Sequence, residues 1–221
     1  MNIFIISQSL DASGKGDDRL FKLGREMASR GHAVTTLTSS KAVDMDLGQK
    51  KIGLFHKNGL TVIAFNVPYK REMSGIKKAI ANFKFARMTG KQGKNLPKPD
   101  LIIVKAPPLT AVVPAMKLSE YYRVPLVAEF RELWPDALIE QGNLKNGLAI
   151  KALQRLEQKI YEKANRIIAL DEKIAGAIRE RWIERAKVSV IENTEDEGQL
   201  IESYDRALKG LGLDQGPNSM K

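Results

Sequence analysis

Short apolar runs, separated by amphipathic stretches, constrain this chain more than any other feature. Ile3 to Ser7, Ala33 to Thr38, Leu101 to Val104, Leu126 to Phe130, Arg166 to Leu170 and Val188 to Ile191 are each strand-length and mostly apolar. Runs of that length bounded by polar or turn residues read as buried strands. The segments between them carry helix signals. Asp17 and Asp18 can cap a helix that continues through Met27 to Arg30, where Gly31 stops it. Pro108 opens a helix to about Tyr122. Leu148, Ala152, Leu156 and Ile160 repeat every four residues and mark one face of a long helix. Asp171 can cap a further helix reaching Trp182. Ile52 to Phe55 and Thr61 to Val67 flank Lys57-Asn58-Gly59, a hairpin signal. This alternation predicts one doubly wound α/β domain with a mostly parallel sheet over 1–193. For 194–221 the expectation is an acidic linker, a short amphipathic helix over Leu200 to Leu208, and a tail that frays from Gly210.

Composition removes several function classes. Cysteine is absent, so there is no disulfide frame and no thiolate ligand or nucleophile. His32 and His56 are the only histidines, which leaves little for a histidine-rich metal centre or a Ser-His-Asp triad. Each sits beside a turn or helix stop, where a structural hydrogen bond is the expected role. The opening Met1-Asn-Ile-Phe-Ile-Ile-Ser7 lacks the basic leader and long apolar stretch of a signal peptide. No apolar run approaches the roughly 20 residues of a spanning helix.

Chemistry concentrates at strand ends. The segment Pro125-Leu-Val-Ala-Glu-Phe-Arg-Glu-Leu-Trp-Pro-Asp136 runs from a buried strand straight into charge, with Glu129, Arg131, Glu132 and Asp136 around Trp134. Ligands of open parallel sheets bind beyond the carboxyl ends of the strands. Those groups are therefore a candidate site, and they equally suit a loop in which Arg131 and the acids pair with one another. Ser13-Gly-Lys-Gly-Asp-Asp-Arg19 follows the first strand and opens a helix. Gly14 and Gly16 there allow backbone amides to approach a phosphate. Arg19 occupies the third-glycine position, so this is not the dinucleotide fingerprint, and Gly16 after Lys15 rules out a Walker loop. A plain strand-to-helix connection fits the same residues. Lys105 and Thr110, around Pro107-Pro108, lie beyond another strand end and can line the same crevice.

The net charge of +10 is uneven. Lys70, Arg71, Lys77, Lys78, Lys84, Arg87, Lys91, Lys94 and Lys98 face a single acid, Glu72, and Ile76, Ile80 and Phe83 fall at helical spacing among them. A basic amphipathic helix of this kind reads as a membrane-surface element docking Lys77, Lys78, Lys84 and Arg87 on anionic lipid. Nucleic acid is the rival partner, though no zinc spacing or aromatic RNA-binding signature accompanies the charge. A helix packed by its apolar face, with its lysines in water, is the third reading.

The order of these motifs resembles the N-terminal domain of family 4 glycosyltransferases with the GT-B fold, a Rossmann-like domain, especially those that build bacterial capsule, O-antigen and exopolysaccharide. Gly14, Gly16 and Arg19 are similar to the family's glycine-glycine-x-x-arginine step. Ser29-Arg-Gly-His-Ala-Val-Thr35 resembles its "k-G-H-x-V-T", and Pro99-Asp-Leu-Ile-Ile103 with Pro107-Pro108 its "P-D-v-I... s-P-P". Phe130-Arg-Glu-Leu-Trp-Pro-Asp136 resembles "R-D-L-W-P-E". Leu156, Glu157, Tyr161, Ala164, Ile167 and Leu170 match the pattern that follows, and Val190-Ile-Glu-Asn193 resembles the closing "V-I-P-N-G". Glu132 stands where the family has Asp, Glu192 replaces Pro, and Thr194 replaces Gly.

The resemblance implies an acceptor-binding half. It places Arg131 and Glu132 at the reacting centre, with Glu132 orienting or deprotonating the acceptor hydroxyl. Gly14, Gly16, Arg19, Lys105, Thr110 and Glu129 then contact donor or acceptor. The donor-binding half, with its E-x7-E motif, is expected on a separate partner, because no such pair follows Asn193. The chain alone is then expected to be inactive and to bind no cofactor, the nucleotide-sugar donor belonging to the assembled enzyme. A retaining reaction without an essential metal, a lipid-linked saccharide acceptor, and a cytoplasmic location on the inner face of the plasma membrane are further implications. A truncated or noncatalytic binding module of the same fold is the alternative.

Overall fold

A computed structural model of the chain describes residues 1–9, 18–40, 46–67, 73, 75–181, 184–194 and 196–213. Eight strands form one sheet: β1 (Asn2–Ile6), β2 (Ala33–Ser39), β3 (Ile52–Lys57), β4 (Leu60–Phe65), β5 (Leu101–Ala106), β6 (Leu126–Phe130), β7 (Arg166–Ala169) and β8 (Val188–Val190). Their spatial order is β3-β4-β2-β1-β5-β6-β7-β8. All pairings are parallel except β3 with β4, the expected hairpin, which turns through Asn58 and Gly59 at φ of 50° and 81°. Both turn residues are left-handed, as a two-residue hairpin loop matched to strand twist requires. The chain winds outward from β1 in one direction and, from β5, in the other. The reversal places a crevice between the carboxyl ends of β1 and β5.

Among the described residues there are seven α-helices: α1 (Arg19–Ser29), α2 (Gly75–Gly93), α3 (Leu109–Tyr122), α4 (Asp136–Glu140), α5 (Gly147–Lys163), α6 (Glu172–Glu180) and α7 (Glu197–Leu208). One face carries α2, α3, α5 and α6, whose Phe85, Leu109, Val112, Tyr161 and Ile178 meet Phe4, Ile6, Ile102 and Phe130 of the strands. The opposite face carries α1 and α7. There Leu20, Leu23, Met27, Leu200, Ile201 and Tyr204 meet Ile3, Ile5, Ile103 and Val127. Successive strand residues thus feed opposite cores, because the side-chain period of a strand is two.

Caps fall on short acids and amides. Asp18 starts α1, its Oδ1 accepting from the N–H groups of Leu20 and Phe21 at 3.1 and 3.3 Å. Asn146, Asp171 and Asp196 accept from Ala149, Ile174 and Gln199 to start α5, α6 and α7. The acidic break before α7 therefore includes that helix's cap. Gly24 lets α1 lie close to the sheet, since a Cβ there would sit 2.8 Å from Leu60 Cδ2. The short helix α4 has no counterpart in the sequence pattern; five residues after Pro135 are too few to show a period.

Candidate functional site

The crevice at the switch point is built on β1, β5, β6 and the start of α1. Lys105 and Glu129 are register partners on β5 and β6, and both side chains are on the α1 and α7 face. Asp18 works twice: one oxygen caps α1, and Oδ2 accepts from Lys105 Nζ at 2.8 Å. Lys105 is 7% exposed and Glu129 fully buried.

Burial of the Glu129 carboxylate requires compensation, and three side chains supply it. Arg19 Nε lies 3.3 Å from Oε2, Arg131 Nε lies 3.5 Å from Oε1, and the Tyr204 hydroxyl of α7 donates to Oε2. Arg19 also donates to the Ile191 carbonyl, and its guanidinium stacks 5.6 Å from the centre of the Tyr204 ring. Burial first, and the Glu129 charge second, push the Tyr204 hydroxyl far above its ordinary titration range. It stays a neutral donor.

The charged run after β6 disperses. Arg131 folds back to Glu129. Glu132, half-buried, accepts from Trp134 Nε1 at 3.0 Å through Oε1, while Oε2 has no partner among the described residues. Asp136 pairs with Arg181 of the residue following α6. Arg181 also pairs with buried Glu157, which accepts from the Tyr161 hydroxyl at 2.7 Å. Burial raises the Glu157 pKa against the opposing bonds from Tyr161 and Arg181.

Several polar atoms at the crevice have no partner among the described residues. Ser7 and Gln8 follow β1 at 1% and 2% exposure, and Ser7 Oγ, both Gln8 side-chain polar atoms and Arg19 Nη2 are unmatched. Thr110 Oγ1, in the first turn of α3, is likewise buried and unmatched. Unsatisfied buried groups cost about 1–3 kcal/mol each. Their concentration beside the switch point suits polar groups of a ligand.

The structure thus brings Arg19, Lys105, Glu129 and Arg131 together through Asp18 and Tyr204. Glu132 lies at the next step of the chain, turned to Trp134. Gly14 and Gly16 lie outside the described residues. Ser7, Gln8 and Tyr204 were not among the expected site residues; Tyr204 is 75 residues from Glu129, and no local pattern marks such a pair. In the sequence, Asp18 stands out only as a helix cap. His32 and His56 stand away from this network, His32 Nδ1 at 3.3 Å from the terminal amine and His56 Nδ1 at 3.3 Å from Thr61 Oγ1. Among the described residues, no group of three or more His, Asp or Glu side chains is placed to hold a metal ion.

The basic helix α2 is a separate surface. Its packed stripe is Ala81, Phe85 and Thr89, with Phe85 edge-on to Phe65 at 5.9 Å. Ile80 and Phe83 are 63% and 69% exposed, beside exposed Lys77, Lys84 and Arg87 and half-buried Lys78. Among the described residues no helix is long and apolar enough to cross a membrane.

Comparison with known proteins gives this arrangement a family. The chain is similar in fold to a sucrose-phosphate synthase chain from Thermosynechococcus elongatus (TM-score 0.60, 14% identity, covering 93% of this chain and 96% of that one). It is also similar to HepE of Anabaena in complex with UDP and glucose (0.51, 19%, 89% and 45%) and to UGT89C1 of Arabidopsis thaliana (0.54, 10%, 86% and 49%). The chain spans about half the length of the latter two. No curated protein matches its sequence significantly. The model of the glycosyl transferase 4-like domain matches residues 18–194, from the Asp18 cap through the last strand. With a single, mostly parallel α/β sheet shared with GT-B glycosyltransferases and a matching family model over most of its length, the chain belongs to the glycosyl transferase 4-like domain family.

Proposed function

We propose that this chain is the acceptor-binding half of a glycosyltransferase and acts together with a donor-binding half. The observation that carries the reading is the crevice at the β1/β5 switch point, where buried polar atoms of Ser7 and Gln8, and of Arg19 and Thr110 within the family match, have no partner among the described residues. Glu132 orients or deprotonates the acceptor hydroxyl. Its Oε1 is held by Trp134, which leaves Oε2 to reach the substrate. Arg131, partly exposed and anchored on Glu129, adds positive charge where a leaving diphosphate develops its own. Arg19, Lys105 and Glu129 position these groups and the first turn of α1. The donor is a nucleotide-sugar and the acceptor a lipid-linked saccharide of bacterial surface polysaccharide synthesis. The work takes place in the cytoplasm at the inner face of the plasma membrane, on which α2 rests.

Half of a two-domain cleft cannot hold donor and acceptor in register, so the chain alone is inactive on this reading. Sugar transfer should appear only when a partner carrying the donor-binding half is added. Glu132→Gln should then lower kcat by about 10²–10⁴-fold with little change in acceptor KM. Transfer by the chain alone, or full activity of Glu132→Gln, would refute the proposal. A binding module without chemistry is the competing reading. It is favoured by the pairing of Glu129 with Arg19 and of Lys105 with Asp18 in the interior, and it predicts acceptor binding that no partner converts to transfer.

A further inference from the structure

A second concave surface lies at the other flank of the sheet. Residues 49–52, entering edge strand β3, form one wall; α2 forms the other, and Asn66 at the end of β4 closes the floor. The groove encloses about 600 Å³. Five cations line it, Lys50 and Lys51 from the residues entering β3 and Lys84, Arg87 and Lys91 from α2, and no acid lines it among the described residues. None of the five forms an ion pair among the described residues.

The walls are tied together by one residue. The Asn66 side-chain amide donates to the Gly48 and Lys50 carbonyls at 3.0 and 3.1 Å, and the Asn66 backbone carbonyl accepts from Lys84 Nζ at 3.0 Å. The loop bearing Lys50 and Lys51 is thus held opposite Lys84. The cations on both walls give the groove a positive potential that an anion would offset. An arginine fork with lysine point charges suits phosphoryl oxygens. Among the described residues no aromatic ring lines the groove for base stacking, which argues against single-stranded nucleic acid.

The geometry points to this groove as a binding site for a diphosphate group. The groove flanks β4, two strands from β1 of the crevice and about 10 Å away at ordinary strand spacing, and none of the crevice residues line it, so it stands independently of the sugar-transfer reading. Exposed Ile80 and Phe83 continue along α2 from its edge, so both a free diphosphate and the headgroup of a diphosphate lipid can reach it.

The test is calorimetric titration of the full chain with inorganic pyrophosphate, orthophosphate and sulfate at one ionic strength. Pyrophosphate should saturate a single site about tenfold or more tighter than sulfate. Lys50→Gln/Lys51→Gln and Arg87→Gln/Lys91→Gln should each weaken it about tenfold. The charge-matched Lys145→Gln/Lys151→Gln, on exposed residues elsewhere, should not. Circular dichroism melts identify variants that fail to fold, and the two groove variants back each other. Pyrophosphate binding no tighter than sulfate, or equal losses in all three variants, would overturn the site. Vesicles containing a polyisoprenyl diphosphate, compared with phosphatidylglycerol vesicles of equal charge, then separate the sources. A preference that Lys50→Gln/Lys51→Gln removes means a lipid headgroup; equal binding to both vesicles alongside tight pyrophosphate binding means a soluble ligand.

Discussion

Glu129 shows how a single buried carboxylate can organise a site. Its neighbours come from β6, α1 and α7, and each is placed by a different part of the chain. Tyr204→Phe removes one donor while keeping the ring under Arg19. It should destabilise the fold by about 1.5–3 kcal/mol, the worth of a hydrogen bond to a charged group, read from urea unfolding with unchanged m-value. Glu157 offers a pH test. Burial raises its folded pKa above the ordinary 4.5, with Tyr161, Arg181 and Asp136 as the titratable and charged groups around it. A native state that holds this proton more tightly than the unfolded chain is favoured most below pH 4.5, and the contribution is lost as pH rises through the raised value. The stability of the wild-type chain relative to Glu157→Gln should therefore fall as pH is raised from 4.5; a difference that rises or stays flat would contradict it.

Helix α2 separates packing from surface within two residues. Phe85 is fully buried and Phe83 is 69% exposed. Phe85→Ala should cost about 3–5 kcal/mol, whereas Phe83→Ala should stay within about 0.5 kcal/mol. Co-sedimentation with anionic vesicles should show the reverse order: Ile80→Ala/Phe83→Ala should lose about tenfold or more in affinity, since each side chain forfeits about 1.5–3 kcal/mol of burial in lipid. Unchanged vesicle binding would reassign α2 to solvent. The charge of this helix was legible from its lysines, and so was the presence of an apolar stripe. Which apolar residues packed was not. Ile76, Ile80 and Phe83 form the stripe at helical spacing, but it is Phe85, on the other side of the helix, that packs, because Phe65 and α3 lie there.

At the scale of the molecule, α7 joins what the chain order separates. It returns across the sheet to α1, where Leu200, Ile201, Tyr204 and Leu208 are buried and Arg30 pairs with Asp205 at 3.1 Å. Side chains worth about 1.5–3 kcal/mol each together reach the order of a whole domain's stability, about 5–15 kcal/mol. Truncation after Thr194 should therefore abolish cooperative unfolding and near-ultraviolet dichroism. A truncated chain that still melts cooperatively would make α7 an accessory.

Sequence alone determined the strands, most helix starts, the hairpin and the parallel doubly wound class, because these depend on local periodicity, caps and turn residues. It also marked Lys105, Glu129 and Arg131 as a strand-end group, because strand ends are where charge stands out against apolar runs. The tertiary structure alone decided that Arg19 and Tyr204 close around Glu129, that Asp136 leaves the group for Arg181, and that Lys50 and Lys51 face Lys84 and Arg87 across a groove. Those pairings join residues far apart in the chain, and their energy comes from burial and charge compensation, quantities that exist only once the sheet has assembled.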